Sequence, residues 1–422
     1  MMKSFIIRTG RWQKQARYRG EHGVYKEILT AFLHRTARNR MWKRFFQSFP
    51  VENEKIVFNN FNGKGFGDNP KYIALELLRR KKPRDLVWLV SQKDAEMPPT
   101  IRQVHIGSKR AMYELATAHI IVNNVKNGLP YYKREEQFYI QTWHGEHGFK
   151  DIEKQVEKQL NPSYVASSKE DSKNIDLFLS GGAYSDDWIR DTFWYDGKIL
   201  TCGFPRNDLF FRADEATVQR IRSRLGIPPN AKCLMYAPTF RDSETYNPYD
   251  LDVQAALSAA TKRFGGKWIA LIRLHPNDAK KSTLFSYDDV VKNASYYPDM
   301  QELLLVSDLL ITDYSSCEGD MIFCLHRPTF FYTSDLERYV SESRTLSQIF
   351  FDIPYPKCKT NEELVNAIQA YDPVEYEKME EIYRRMEPDV NDGHASEAVV
   401  DVMEKLMDEE KQLKSERKGW GQ

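Results

Sequence analysis

Two textures of apolar and polar positions divide the chain. Between Val24 and Phe46, apolar residues recur at steps of three and four: Val24, Tyr25, Ile28, Leu29, Phe32 and Leu33, then Met41, Trp42, Phe45 and Phe46. Arg35, Arg38, Arg40, Lys43 and Arg44 fill the remaining positions, so the spacing predicts a basic amphipathic helix. After Pro50 the pattern becomes short apolar runs alternating with helical periodicity. Strands are expected over 55–60, 85–90, 119–124, 138–143, 175–180 and 198–203 in the first half, and over 232–239, 267–276, 308–316 and 329–332 in the second. Helices are expected near 70–82, 108–117, 183–192, 214–225, 251–264, 299–306, 362–371 and 374–386, with one charged helix from His394 to about Lys414. Strands that alternate with helices and are apolar without alternation predict an α/β fold of parallel sheets covered on both faces.

The stretch 205–230, with Gly226-Ile-Pro-Pro-Asn230 near its end, separates two such series. The expected organisation is a basic amphipathic segment over 1–50, a first α/β domain over 51–205, a second over 206–395, and a final helix and tail over 396–422. Two domains of this size leave a cleft between them.

Charge sharpens this division. Lys and Arg number 61 against 60 Asp and Glu, a net charge of +1 that gives no reason to expect a nucleic-acid partner. Residues 1–50 alone carry twelve Lys or Arg and two acids, however, so an arm of +10 precedes a body of −9. A basic helix with an apolar stripe suits an anionic membrane surface, with Phe32, Arg35, Trp42, Lys43 and Arg44 as the expected contacts. The alternative is a helix packing its stripe on the body. The five cysteines, at 202, 233, 317, 324 and 358, are scattered without a CxxC pair, which favours a reducing compartment over a disulfide framework. No apolar run is long enough to span a bilayer.

Candidate chemistry gathers where apolar strands end. Gln141-Thr-Trp-His-Gly145 delivers His144 to the carboxyl edge of a sheet, where an imidazole can take a proton from a ligand. His147, three residues on, lacks the spacing of a helical zinc pair. Leu271-Ile-Arg-Leu-His-Pro276 delivers Arg273 and His275 in the same way, and a phosphate would be a suitable partner for the arginine. Asp308-Leu-Leu-Ile-Thr-Asp-Tyr-Ser-Ser316 runs from a strand into a predicted helix start, where Ser315 and Ser316 either cap the helix or help bind a phosphate. The glycine-rich Asn62-Gly-Lys-Gly-Phe-Gly-Asp-Asn-Pro70 lacks the spacing of a phosphate loop and reads first as a strand-to-helix turn that can also line the cleft. No metal-ligand cluster is evident, so no tightly held metal is expected, and assistance by Mg²⁺ is left open.

These motifs in this order, with GDNPKYIALEL, ATAHIIVNN, LFLSGGAYSDDWIRDTFWYDGKILTCGFPRND, MYAPTFRD and RPTFFYTSDLERY between and around them, resemble the CDP-glycerol glycerophosphotransferases of bacterial teichoic-acid and capsule synthesis. The resemblance runs from about Phe58 to Tyr339. It implies a GT-B architecture, two Rossmann-like domains facing across a cleft, on the cytoplasmic face of the membrane. It implies His144 as general base, and His275, Ser315 and Ser316 on the diphosphate of the CDP donor. Thr239, Arg241, Asp313 and Asp320 match family positions near that site. The implied partners are CDP-glycerol, a lipid-linked or glycan acceptor, and the anionic membrane.

The chain departs from the family twice. Where the histidine-glycine pair is usually followed by Thr-Pro-Leu-Lys, it has Glu146, His147, Gly148 and Phe149; where Arg-Gly-Phe-Tyr is common, it reads Ser343-Arg-Thr-Leu-Ser-Gln-Ile-Phe350. These departures leave open the acceptor and the alcohol carried by CDP. CDP-ribitol transfer, nucleotide-sugar glycosyl transfer and a non-catalytic nucleotide-binding adaptor are the alternatives.

Overall fold

The computed structural model describes residues 41–419 except 43, 127–132, 146–147, 242–246 and 276, with side chains described to residue 412. Phe32, Arg35 and Lys43, most of the 24–46 stripe, and His147 lie outside the described residues.

Seven parallel strands form the first sheet: β1 (Glu52–Asn59), β2 (Asp85–Val90), β3 (Arg102–His105), β4 (Ala118–Asn123), β5 (Phe138–Gln141), β6 (Leu177–Ser180) and β7 (Lys198–Thr201), in the order β3-β2-β1-β4-β5-β6-β7. Six form the second: β8 (Ala231–Ala237), β9 (Lys267–Ile272), β10 (Val291–Asn293), β11 (Leu309–Thr312), β12 (Thr329–Tyr332) and β13 (Lys357–Cys358), in the order β10-β9-β8-β11-β12-β13. The chain passes from one sheet to the other between β7 and β8.

Both faces of each sheet are covered, which is why the strands read as continuous apolar runs. In β1, Ile56 and Phe58 join one core with Ile73 and Leu77 of the helix Asp68–Arg79, while Val57 joins the opposite core with Leu115 of the helix Lys109–Thr117. In β8, Leu234 and Tyr236 face the helix Val253–Phe264, while Cys233 and Met235 face the helices Glu215–Arg224 and Met300–Leu305. At about 25 cal/mol per Å² of apolar surface removed from water, such two-sided burial is the main term holding each sheet.

The helix Ala395–Gly419 returns to the first sheet. Its Val399, Val400, Met403 and Met407 enter the core that holds Ile56 and Phe58. Asn53 donates to the Met407 carbonyl (3.0 Å), and Arg80 pairs with Asp401 (2.6 Å) and Glu404 (3.0 Å). The second domain is thus bracketed by elements of the first. Further ties cross between the domains, where Lys71 pairs with Asp299 and Glu302, and the Tyr72 hydroxyl donates to Asp299 (2.9 Å).

Each sheet reverses strand order once, at β1/β4 and at β8/β11. In open α/β sheets the crevice outside the carboxyl ends of the strands at such a reversal is where ligands bind.

Candidate active site

The first reversal is marked by paired asparagines. The runs that end β1 and β4 place Asn59 against Asn123 (2.8 Å) and Asn124 against Asn60 (2.7 Å), and the Phe61 amide donates to the Asn124 side chain (2.9 Å). With its side chain engaged in this way, Asn124 presents its backbone carbonyl to His144 Nδ1 at 2.5 Å. A carbonyl can only accept, so Nδ1 carries the proton and Nε2 carries the lone pair.

The expected strand over 138–143 stops pairing at Gln141, because Trp143 turns into left-handed backbone with φ of 50°. Such a conformation costs a residue other than glycine about 1–3 kcal/mol. It is held by the Gln141 side chain, which accepts from the Trp143 amide (3.0 Å), and by Asn69, which donates to the Trp143 carbonyl (3.1 Å). The turn swings His144 out of the sheet between Phe61 and Trp143, with ring centroids at 4.9 and 4.1 Å. Burial, reinforced by Arg206 and Lys150, pushes its pKa down to about 4, so the ring is neutral at neutral pH.

Across the cleft, His275 has the complementary arrangement. The Asn277 amide donates to His275 Nδ1 at 3.2 Å, so this nitrogen is the acceptor and Nε2 is left as the N–H donor. The ring lies against Phe240 (4.6 Å), and burial, then Lys150, Arg273, Lys64 and His144, push its pKa down to about 3. Arg273 beside it has no carboxylate partner among the described residues. Its guanidinium reaches the carbonyls of Ala294 and Ser295, and burial lowers its pKa to about 10. A half-buried arginine bonded only to neutral carbonyls keeps charge available for an anion.

Ser315 and Ser316 are half-buried within an otherwise buried run from Leu309 to Phe323. Ser315 Oγ accepts from the Cys317 amide (3.4 Å), and Ser316 is the N-cap of a short α-helical turn, Cys317–Gly319, continued as a π-helix over Asp320–Cys324. The first domain comes directly against this point, since a Cβ added to Gly145 would lie 3.0 Å from Ser316 Oγ. Glycine at 145 lets the loop that carries His144 approach the serine turn. The glycine-rich turn also meets the second domain, with Gly67 and Gly65 beside Pro298 and Lys64 in the field of His275.

Of the remaining matched positions, Thr239, Arg241 and Asp313 bond to one another, while Asp320 bonds to other residues. Asp313 accepts from the amide (2.8 Å) and hydroxyl (2.7 Å) of Thr239, from the Tyr314 amide (2.6 Å) and from Arg241 (2.8 Å). Arg241 also pairs with Asp335 (2.7 Å) and donates to the Thr239 carbonyl (2.5 Å). Asp320 accepts from Gln301 (3.0 Å) and from Arg206 (3.3 Å), and Arg206 also faces Asp68 of the first domain at 3.8 Å. Burial raises Asp68 to about 6, with Arg206 opposing. These groups position the loops above them.

Two features had no signal in the sequence. The stretches that depart from the family pattern touch each other, since Lys150 and Leu346 form an antiparallel bridge and the amides of Ser347 and Asp151 donate to the carbonyls of Phe149 (2.9 Å) and Thr345 (3.2 Å). Phe149 is fully buried against Phe350 (5.3 Å), Phe331 and Tyr383 of the second domain. Lys150, next to that anchor, lies close enough to both His144 and His275 to disfavour the charged form of each. Trp42 and Arg44, by contrast, sit far along the first domain from this cleft: residues 41–42 and 44–46 are helical, Phe46 packs on Tyr113 at the side where β1 and β4 begin, and Met41 and Phe45 are exposed. Among the described residues no group of three or more His, Cys, Asp or Glu side chains is arranged to hold a metal, and no helix is long and apolar enough to cross a membrane.

Residues 41–405 match the family model of CDP-glycerol:poly(glycerophosphate) glycerophosphotransferases. The chain belongs to this family. It is 31% identical over 377 residues to a teichoic acid poly(glycerol phosphate) polymerase of Staphylococcus epidermidis, covering 85% of this chain and 52% of that one. Against a teichoic acid glycerol-phosphate transferase of Staphylococcus aureus it is 30% identical over 359 residues, covering 82% and 91%. The chain therefore spans about half the length of the first relative and most of the second. Among solved structures of the glycerophosphotransferases, the wall teichoic acid polymerase TagF, as a histidine-to-asparagine variant soaked with CDPG, superposes with a TM-score of 0.79 at 27% identity, covering 92% of this chain and 97% of that one. The GT-B architecture of two parallel-sheet domains is shared with it.

Proposed function

We propose that the protein transfers glycerol phosphate from CDP-glycerol to a hydroxyl of a membrane-associated or glycan acceptor, releasing CMP. The observation that carries this reading is the complementary state of the two histidines across one cleft: Nε2 of His144 a lone pair, Nε2 of His275 an N–H donor.

In this mechanism His144 Nε2 takes the acceptor's hydroxyl proton as the oxygen attacks the glycerol-bearing phosphorus. The new bond is acceptor O–P, and the bond broken joins that phosphorus to the oxygen bridging to CMP. The phosphate of CMP, with a second pKa near 6, needs no proton to leave at neutral pH. His275 Nε2–H, Arg273 and the hydroxyls of Ser315 and Ser316 stabilise the charge on the diphosphate, the electrostatic part of phosphoryl transfer. Thr239, Arg241, Asp313 and Asp320 hold those groups in place. The acceptor is lipid-linked or glycan, met at the cytoplasmic face of an anionic membrane through the basic N-terminal segment.

The test offers CDP-glycerol, CDP-ribitol and nucleotide sugars with a glycerol-phosphate-primed acceptor and identifies the nucleotide released. CMP from CDP-glycerol is the expected product. Release from CDP-ribitol or a nucleotide sugar alone would replace the donor, and CDP binding without turnover would make the chain an adaptor.

A further inference from the structure

Lys150 is unusual among the basic residues of the cleft. Its backbone is fixed on both sides, by the bridge to Leu346 and by Phe149 anchored in the core of the second domain. Its ammonium has no hydrogen-bond or ion-pair partner among the described residues, although the residue is largely buried. Asp313, the acid that most strongly attracts it, is engaged by Thr239, Tyr314 and Arg241. The charged groups facing it are Asp313 and Glu318 around β11 and the turn that follows, Arg344 of the bridged segment, Arg241 after β8, and the two histidines, whose charging it opposes.

A cation within the field of both histidines occupies a particular place in the proposed reaction. The attacking hydroxyl lies at His144 and the diphosphate at His275, so the phosphoryl group in transit lies between them. Resting on the transfer proposed above, we infer that the Lys150 ammonium contacts the glycerol-bearing phosphoryl group of the donor and stabilises its oxygens as the acceptor attacks. The bridge makes both departing segments part of the catalytic wall, with Phe149 holding the lysine at its register and Gly148 admitting the Trp188 indole, which a Cβ there would overlap. A lysine held for packing alone would instead pair with a carboxylate or reach open solvent.

CDP carries the corresponding phosphoryl group and CMP lacks it, so the two nucleotides separate a phosphoryl contact from a general disturbance of the fold. Calorimetric titration of the full chain is expected to show Lys150→Gln weakening CDP by about 10- to 100-fold, the range for a charge-assisted hydrogen bond, with CMP affinity unchanged. Lys150→Arg should keep most of the CDP affinity. Burial holds the Lys150 pKa down at about 8, so CMP release from CDP-glycerol should fall above that pH as the ammonium deprotonates. In Lys150→Arg this alkaline limb should move up by more than one pH unit. Equal losses for CDP and CMP, undiminished CDP affinity in Lys150→Gln, or an unmoved alkaline limb would each overturn the assignment. Failure of the unaltered chain to bind CDP would remove the donor reading and this assignment together, whereas failure confined to the Lys150 variants leaves the donor reading standing.

Discussion

The protonation state of His144 makes a prediction about pH that an ordinary histidine would fail. With a pKa near 6.5, a free imidazole is only about 9% neutral at pH 5.5. Lowered to about 4 by burial, with Arg206 and Lys150 adding repulsion, His144 remains about 97% neutral at that pH. Because kcat/KM reports the ionisations of the free enzyme, CMP release at limiting CDP-glycerol should be nearly flat from pH 7.5 down to 5.5. The acid limb should then have its midpoint near 4. The sign follows from a depressed pKa, since the active neutral form persists below 6.5 and is lost only as pH falls through the lowered value. His144→Ala should reduce turnover by roughly 10²–10⁴, the usual worth of a general base, and should erase that limb. Burial holds His275 lower still, at about 3, and protonating its Nδ1 would leave the Nε2–H donor in place. An acid midpoint near 6.5, or His144→Ala within tenfold of the unaltered rate, would refute the mechanism.

Two further outcomes follow from packing and charge. Phe149→Ala removes a fully buried ring from the second domain's core and should destabilise the protein by about 3–5 kcal/mol in urea denaturation; a loss below about 1 kcal/mol would show that the strand-like contact does not hold the cleft wall. Deleting residues 1–50 removes the +10 arm, and should release the protein from vesicles containing anionic lipid, while CDP affinity stays within twofold. Unchanged vesicle sedimentation would place any membrane contact elsewhere.

The sequence disclosed the sheets where burial on two faces demanded apolar runs, and failed at three flanking strands where that demand was weak. β3 reads Arg102-Gln-Val-His105, β10 is three residues and β13 two, all on the outer flank of a sheet and too short or too polar to show a run. The helix Pro162–Asn174 buries only Val165, Ser168 and Ser172, so it carries no apolar stripe, although Asn161 capping Ser163 and Pro162 in the first turn were signals within reach. The histidines and serines were legible because strand ends declare themselves in one dimension. Lys150 was not, because its isolation exists only once Asp313, far downstream in the second domain, has been taken up by Arg241 and Thr239. Arg273 was marked by its chemistry alone, as a charge at the end of an apolar strand that needed a partner, and its contacts with carbonyls leave that need directed into the cleft.

The return of the helix Ala395–Gly419 has a consequence for how the molecule is made. The hydrophobic seat beside Ile56 and Phe58 is completed by Val399, Val400, Met403 and Met407, which leave the ribosome roughly 200 residues after β7. At about 5–20 residues per second this is an interval on the order of 10 to 40 s. Throughout it the first domain is a nascent chain with an open apolar flank while the whole second domain is being synthesised. Completion of its core waits for the helix Ala395–Gly419, so the order of synthesis and the order of folding differ.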